Sequence, residues 1–112
     1  AASALDTICV PGAATPSEIF TALDAGASGV KAFPAEMLTA QIIKSWRAVL
    51  PKDLSILPVG GISTDNMRDY WEVGANGFGI GGALYQPGKS ITDISASAKE
   101  FVMAMNQLRP NT

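Results

Sequence analysis

The sequence contains no histidine among its 112 residues and a single cysteine, Cys9. Without histidine it lacks the usual general base, the usual activator of a serine or cysteine nucleophile and the commonest metal ligand. One cysteine cannot form an intrachain disulfide or a cysteine-cluster metal site. We expect Cys9, within the apolar run Thr7-Ile8-Cys9-Val10, to be a small buried hydrophobe. Any chemistry must therefore use lysine, carboxylates, hydroxyls or backbone amides.

Charge is also scarce, with eight Lys and Arg against ten Asp and Glu and a formal net charge of -2. The basic residues are dispersed and form no stripe for nucleic acid and no membrane patch. No apolar run approaches the roughly 18 residues of a membrane span, and the N-terminus shows no cleavable signal pattern. We expect a cytoplasmic protein with no nucleic-acid or membrane partner. The hydrophobic share of 47% predicts one globular domain, or part of one, over residues 1–112.

The chain repeats itself at a spacing of 48 residues. Each copy has an apolar strand ending at a glycine, a hydroxyl residue that can cap a helix, and a glycine that can close the helix. The aligned pairs are Gly12 and Gly60, Thr15 and Ser63, Gly26 and Gly74, Ala27 and Ala75, and Gly29 and Gly77. The repeat therefore predicts two strand-helix-strand units.

Capping signals and apolar periodicity predict four helices. Thr15, Pro16 and Glu18 form a capping box for a helix that runs to about residue 25, where Gly26 is a left-handed stop. Further helices are predicted over about 39–50, 64–73 and 91–108, with buried strands over 54–59 and 78–84. Four strand-helix pairs indicate an α/β fold with a parallel sheet, either half of a (β/α)8 barrel or an open four-stranded sheet.

Lys31 stands in a short apolar strand-like run, Gly29 to Pro34. Burial disfavours the charged form of a lysine and can leave an amine that attacks a carbonyl carbon. Alternation places Phe33 on the same face, close to the carboxyl end of the strand, where parallel α/β folds bind ligands. The alternative is an edge-strand lysine with its amine in water. Lys44, Lys52, Lys89 and Lys99 are expected to be ordinary surface lysines.

Two glycine turns follow the third and fourth strands, Val59-Gly60-Gly61-Ile62-Ser63 and Gly79-Ile80-Gly81-Gly82-Ala83. Bare backbone amides of this kind can hold a phosphate group, although the glycines can also serve only as turns. Thr15 and Glu36 lie near strand exits. Each could contact a substrate, or serve only as a cap and a loop carboxylate, respectively.

These residues resemble the KHG/KDPG aldolases, which are class I aldolases of 2-keto-3-deoxy-6-phospho sugar acids. The resemblance covers nearly the whole chain in order, and the Lys-x-Phe-Pro element is its most specific part. The segment Leu84-Tyr85-Gln86-Pro87-Gly88 is closer to the phosphogalactonate branch than to the phosphogluconate one. The matching elements are Pro11-Gly12 with Thr15, the run from Lys31 to Glu36, Val59-Gly60-Gly61-Ile62 and Ile80-Gly81-Gly82.

The resemblance implies a fold and a set of roles. The chain would be the C-terminal half of a TIM (β/α)8 barrel, and Lys31 would form a Schiff base with the pyruvate part of the substrate. Phe33 would line the pyruvate pocket, and we predict that Pro11, Gly12 and Thr15 also contribute to the substrate site. No metal or other cofactor is implied. Backbone amides at Val59, Gly60, Gly61, Gly81 and Gly82 would hold the phosphate.

The chain also departs from the family pattern. Ala83 stands where some members have a phosphate-contacting serine, and the acid-base glutamate belongs to the first half of the barrel, which this chain does not contain. Glu36 does not occupy that position. The chain alone is therefore expected to be poorly active, and to form a homo-oligomer, as the trimeric full-length family does, or to pair with a complementing N-terminal half.

The implied reaction cleaves a phosphorylated keto-sugar acid to pyruvate and glyceraldehyde 3-phosphate. Two alternatives remain. One is 4-hydroxy-2-oxoglutarate aldolase activity, which uses the same imine without a phosphate. The other is a non-catalytic phosphate-binding α/β module.

Overall fold

The computed structural model describes residues 3–109, which form a parallel three-stranded sheet with helices packed against it. The strand order is β1-β2-β3, so that β2 is central. The predicted α/β fold with a parallel sheet is confirmed. In chain order the elements are a 3-10 turn Ser3–Leu5, β1 Gly12–Ala13, α1 Pro16–Asp24, β2 Gly29–Ala32, α2 Ala40–Val49, β3 Ser55–Pro58, α3 Met67–Glu72 and α4 Ile91–Leu108.

Helix α1 begins and ends as its sequence predicts. The Thr15 hydroxyl accepts a hydrogen bond from the Glu18 amide at 3.2 Å and donates one to the Glu18 carboxylate at 3.0 Å. Beyond the helix, Gly26 has a φ of 92°, and the Ala27 amide donates to the Ala22 carbonyl at 3.0 Å. The left-handed glycine lets the chain leave the helix while an otherwise unpaired carbonyl is satisfied.

The 48-residue repeat is exact at the ends of α1 and α3. Gly74 has a φ of 111°, and the Ala75 amide donates to the Tyr70 carbonyl at 3.0 Å, which reproduces the Gly26 arrangement. At the start of α3 the repeat fails, because the helix begins at Met67 and Ser63 does not cap it. Ser63 instead begins a turn, in which its amide donates to the Asn66 carboxamide at 3.0 Å.

The hydrophobic core fills the space between the sheet and the helices. Val30 and Ala32 of β2 and Ile56 of β3 have no exposed surface, because alternate side chains of these strands point toward the helices. Ile19 of α1 and Ile43 of α2 are equally buried against them. The opposite face of the sheet carries the side chains that the helices do not cover.

Two strand predictions are wrong. The run Thr7 to Val10 is irregular, and β1 comprises only Gly12 and Ala13. The strand expected over 78–84 is reduced to one parallel bridge between Val59 and Gly79. Glycine is a weak strand former, and a Cβ at Gly79 would lie 2.6 Å from Val59 Cγ2, so that this backbone approaches β3 closely but does not extend into a ladder.

Helix α4 has its predicted bounds but only part of its predicted apolar contact. Phe101, Met105 and Leu108 are half-buried against the core. Ile91 and Val102 are also apolar, yet they are 86% and 59% exposed. Only one side of α4 therefore packs against α3 and against the segment around Phe78 and Ile80.

Arg47 ties α2 to the start of β3 and to the loop after α3. Its guanidinium donates to the Leu54 carbonyl at 2.8 Å and to the Gly74 carbonyl at 2.7 Å. It also donates to the Asn76 carboxamide oxygen, which accepts a second hydrogen bond from the Ile56 amide. Burial lowers the pKa of Arg47 from its ordinary value. One side chain thus satisfies three acceptors in two segments of the chain.

Replacing Arg47 with methionine should lower the free energy of unfolding by about 1–3 kcal/mol, because partly buried acceptors lose their donor while the apolar stem is kept. Urea denaturation measures the change. Arg68→Met is the matched control, since Arg68 forms only an exposed ion pair with Glu72 at 3.8 Å and should cost less than about 1 kcal/mol. Equal losses in the two variants would contradict the assignment.

Candidate active site

Lys31 lies in the central strand, on the face that the helices do not cover. Its amide donates to the Pro11 carbonyl at 2.8 Å, and its register partners are Gly12 and Leu57. Its side chain is exposed, which corrects the expectation of a buried lysine, and the alternative of an edge strand is also wrong. In a closed (β/α)8 barrel this face would be the interior.

Phe33 links the face of Lys31 to a cavity at the carboxyl ends of the strands. It is 49% exposed and follows Lys31 by two residues, roughly 7 Å further along the strand direction. The cavity measures about 550 Å³ and brings both predicted glycine turns together. Its lining is Phe33, Glu36, Val59, Gly60, Gly61, Ile62, Ser63, Gly81, Gly82 and Ala83. Lys31 itself is not part of this lining.

The glycine turns present backbone amides that have no protein acceptor. Among residues 3–109, no hydrogen bond is donated by the amides of Gly60, Gly61, Gly81 or Gly82. The Val59 amide, also predicted to hold the phosphate, is not free for this, because it donates to the Ala32 carbonyl at 3.0 Å. Gly60 and Gly61 have φ values of 107° and 67°, a conformation that side chains other than glycine rarely adopt. Unpaired amides in a concave site are suited to bind an anion.

Two side chains that sequence reasoning missed hold these turns. Asn66 accepts from the Ser63 amide and donates to the Gly61 carbonyl at 2.9 Å, which fixes the first turn. Lys89 holds the end of the second turn, because its half-buried ammonium donates to the Ala83 carbonyl at 3.4 Å, to the next carbonyl at Leu84 at 3.3 Å and to the Ser97 hydroxyl at 3.0 Å. Lys89 is therefore not the ordinary surface lysine that its sequence context suggested.

The loop between Phe33 and Glu36 is held at Ala35. The Ala35 amide donates to the Val59 carbonyl at 2.8 Å, and the buried Tyr70 hydroxyl donates to the Ala35 carbonyl at 2.8 Å. Burial raises the pKa of Tyr70, and the nearby carboxylates of Glu36 and Asp69 raise it further. A signal for this contact was available, since a tyrosine on the buried face of a helix requires a partner for its hydroxyl.

Three predicted substrate residues lie outside the cavity. Pro11 and Gly12 line a separate hollow of about 430 Å³, between β1 and α1. The Thr15 hydroxyl is engaged in the cap of α1. The structure thus gives Thr15 a structural role, and a substrate contact by any of the three stays a prediction.

Neither a metal cluster nor a membrane span is found within the described part of the chain. Residues 3–109 contain no group of three His, Cys, Asp or Glu side chains that could hold a metal ion. None of the helices in this range is both long and apolar enough to cross a membrane.

A family model and individual relatives both match this chain to the same family of aldolases. The sequence model of the aldolase family described as KDPG and KHG aldolase matches residues 1–99. An Escherichia coli (strain K12) protein named 2-dehydro-3-deoxy-6-phosphogalactonate aldolase is 41% identical over 101 residues, which are 90% of this chain and 49% of the relative. A Rhizobium meliloti (strain 1021) protein named "Probable 2-dehydro-3-deoxy-6-phosphogalactonate aldolase" is 47% identical over 91 residues, or 81% and 43% of the two chains.

A solved structure described as "Native KDPGal structure" superposes with a TM-score of 0.93 at 37% identity, covering 96% of this chain and 52% of the other. This α/β chain belongs to the KDPG and KHG aldolase family, whose fold is a TIM barrel. It spans about half the length of the curated relatives that it matches.

Replacing Tyr70 with phenylalanine should lower the free energy of unfolding by about 1–2 kcal/mol, because the Ala35 carbonyl loses its buried donor. The phenol contributes while it is protonated. Since its pKa is raised in the fold, the contribution is complete below about pH 10 and is lost as the pH rises beyond the folded-state pKa.

Urea denaturation at about pH 8 and about pH 11 tests this, since the difference between wild type and Tyr70→Phe should shrink at the higher pH. Tyr85→Phe is the control, because Tyr85 is 61% exposed. A Tyr70→Phe variant as stable as wild type at about pH 8 would show that the bond contributes nothing.

Proposed function

We propose that this chain carries the Schiff-base lysine and the phosphate cradle of a class I aldolase. The substrate is a 2-keto-3-deoxy-6-phospho sugar acid of the phosphogalactonate or phosphogluconate type, and the products are pyruvate and glyceraldehyde 3-phosphate. The observation that carries the proposal is the cavity formed by the two glycine turns, which lies beyond Lys31 on the same side of the sheet, with Phe33 between them. The family membership of the chain supports the same chemistry.

In the proposed reaction the neutral Lys31 amine adds to the keto carbon, and uptake of one proton from solvent with loss of water gives a protonated imine. A base removes the proton of the hydroxyl on the fourth carbon, and the bond between the third and fourth carbons breaks. The bonding electrons move to the imine nitrogen and give an enamine, while the aldehyde leaves. Protonation of the third carbon and hydrolysis of the imine release pyruvate and restore the amine.

The described residues divide this work by position. Phe33 supplies an apolar wall next to the carbon skeleton, and the amides of Gly60, Gly61, Gly81 and Gly82 bind the phosphate oxygens. Backbone amides hold an anion in a fixed geometry, which aligns the far end of the substrate relative to Lys31. Neither role requires a metal or other cofactor.

The related 4-hydroxy-2-oxoglutarate aldolase activity is the second candidate, since the matched family includes both activities. It would use Lys31 and leave the glycine cavity without a role. Cleavage rates for substrates with and without the phosphate separate the two. A non-catalytic phosphate-binding module would bind phosphate yet form no imine.

The chain spans about half the length of the relatives it matches, and a partner that completes the barrel is part of the proposal. We propose a homo-oligomer or a complementing N-terminal half as the partner. The proposal is supported by the outer edge of β1, which pairs with no strand among residues 3–109, and by the exposed apolar Leu5 and Ile8, which precede β1 in the chain. Light scattering should show association. We propose the cytoplasm as the compartment, supported by the free, half-buried Cys9.

Borohydride reduction with pyruvate tests the role of Lys31. Assayed together with the segment that completes the barrel, the wild-type chain should gain the mass of one reduced pyruvate adduct. Lys31→Ala should gain none, because it lacks the amine that the proposal makes the nucleophile. Lys44→Ala, which removes an exposed lysine of α2, should trap pyruvate as wild type does. An adduct that persists in Lys31→Ala would exclude Lys31 as the nucleophile.

A further inference from the structure

Glu36 lines the cavity, yet the proposed reaction gives it no task. Its side chain packs directly on the bare Cα atoms of the first glycine turn. A Cβ on Gly60 would overlap the Glu36 Oε1 atom, and a Cβ on Gly61 would lie 2.7 Å from Glu36 Cγ. The absence of side chains at these two glycines is therefore what allows the carboxylate to lie against the turn.

The backbone at Glu36 is held in place through its neighbour, Ala35. The neighbouring Ala35 is bonded on one side to Val59 of the third strand exit and on the other to Tyr70 of α3. Burial raises the pKa of the Tyr70 phenol, and electrostatic repulsion from the Glu36 carboxylate raises it further. The Glu36 backbone is thus fixed between the strand exits at the mouth of the cavity.

The described side chains that line the cavity carry negative charge and no positive charge. Among the described residues that line it, Glu36 carries the only charge, and no lysine or arginine joins it. The Glu36 carboxylate accepts no hydrogen bond from any residue in 3–109. The cavity therefore combines amides that attract an anion with a fixed negative charge that opposes one.

We propose that Glu36 is a specificity-determining residue of the phosphate cradle, where its carboxylate acts as an internal counter-anion that weakens phosphate binding. The inference rests on the proposed function, since it assigns a role within that cradle. The negative charge of Glu36 repels the phosphate, so that a phosphate group alone binds more weakly than one attached to a ligand that adds further contacts. Free inorganic phosphate is disfavoured, and a phosphorylated product leaves readily.

The test is Glu36→Gln, which keeps the shape and packing of the side chain and removes its charge. Calorimetric titration with inorganic phosphate should give a dissociation constant roughly three- to tenfold lower than in wild type, in line with loss of one repulsive charge at a partly solvated site. The gap should narrow as potassium chloride is raised, because salt screens the repulsion. Glu100→Gln is the control, because Glu100 is an exposed carboxylate of α4 outside the cavity lining, and this variant should bind phosphate as wild type does.

The outcomes separate the two proposals. If wild type binds phosphate and Glu36→Gln binds it equally or more weakly, the role of Glu36 is overturned and the cradle stands. If neither protein binds phosphate, both the role of Glu36 and the cradle are overturned. Glu36→Ala, which also removes the packing, should bind phosphate more tightly than wild type.

Discussion

The candidate site depends on the pair of hydrogen bonds that fix Ala35. Its amide joins the exit of β2 to the exit of β3 through Val59, and its carbonyl joins both to α3 through Tyr70. Phe33 lies two residues before this point and Glu36 one residue after it. The two hydrogen bonds of Ala35 therefore position both the apolar wall formed by Phe33 and the carboxylate of Glu36. Loss of a donor would leave a buried carbonyl unpaired, which destabilises the fold.

The glycines of the first turn satisfy two demands at once. Positive φ angles turn the chain back from β3, and the missing side chains leave room for Glu36. The same bare backbone leaves amides free at the cavity. Shape, charge and hydrogen-bonding capacity at this position thus follow from two residues, and any larger side chain would change all three.

The sequence predicted the parts of the fold that depend on local chemistry. Gly26 and Gly74 end their helices identically because the left-handed stop needs only the glycine and the preceding turn. The prediction failed where a competing turn or a distant pairing decides. Ser63 begins a local turn with Asn66, so that α3 starts only at Met67 and Ser63 does not cap it. The strand expected around Gly79 needs pairing along its length, which glycine does not favour. Arg47 and Lys89 were missed because most of their acceptors are backbone carbonyls, which no side-chain pattern reveals.

The exposure of Lys31 bears on how its amine could be activated. The family resemblance and the glycine cavity support Lys31 as the residue that forms the imine, but the described residues leave its side chain exposed rather than buried. An amine attacks a carbonyl when it is neutral, and desolvation or a neighbouring cation is the usual means to that state. Within residues 3–109 the face around Lys31 is open, with Gly12 on one side and Leu57 on the other. The environment that activates this amine must therefore be completed by whatever covers the open face of the sheet, whether substrate or a further segment of protein.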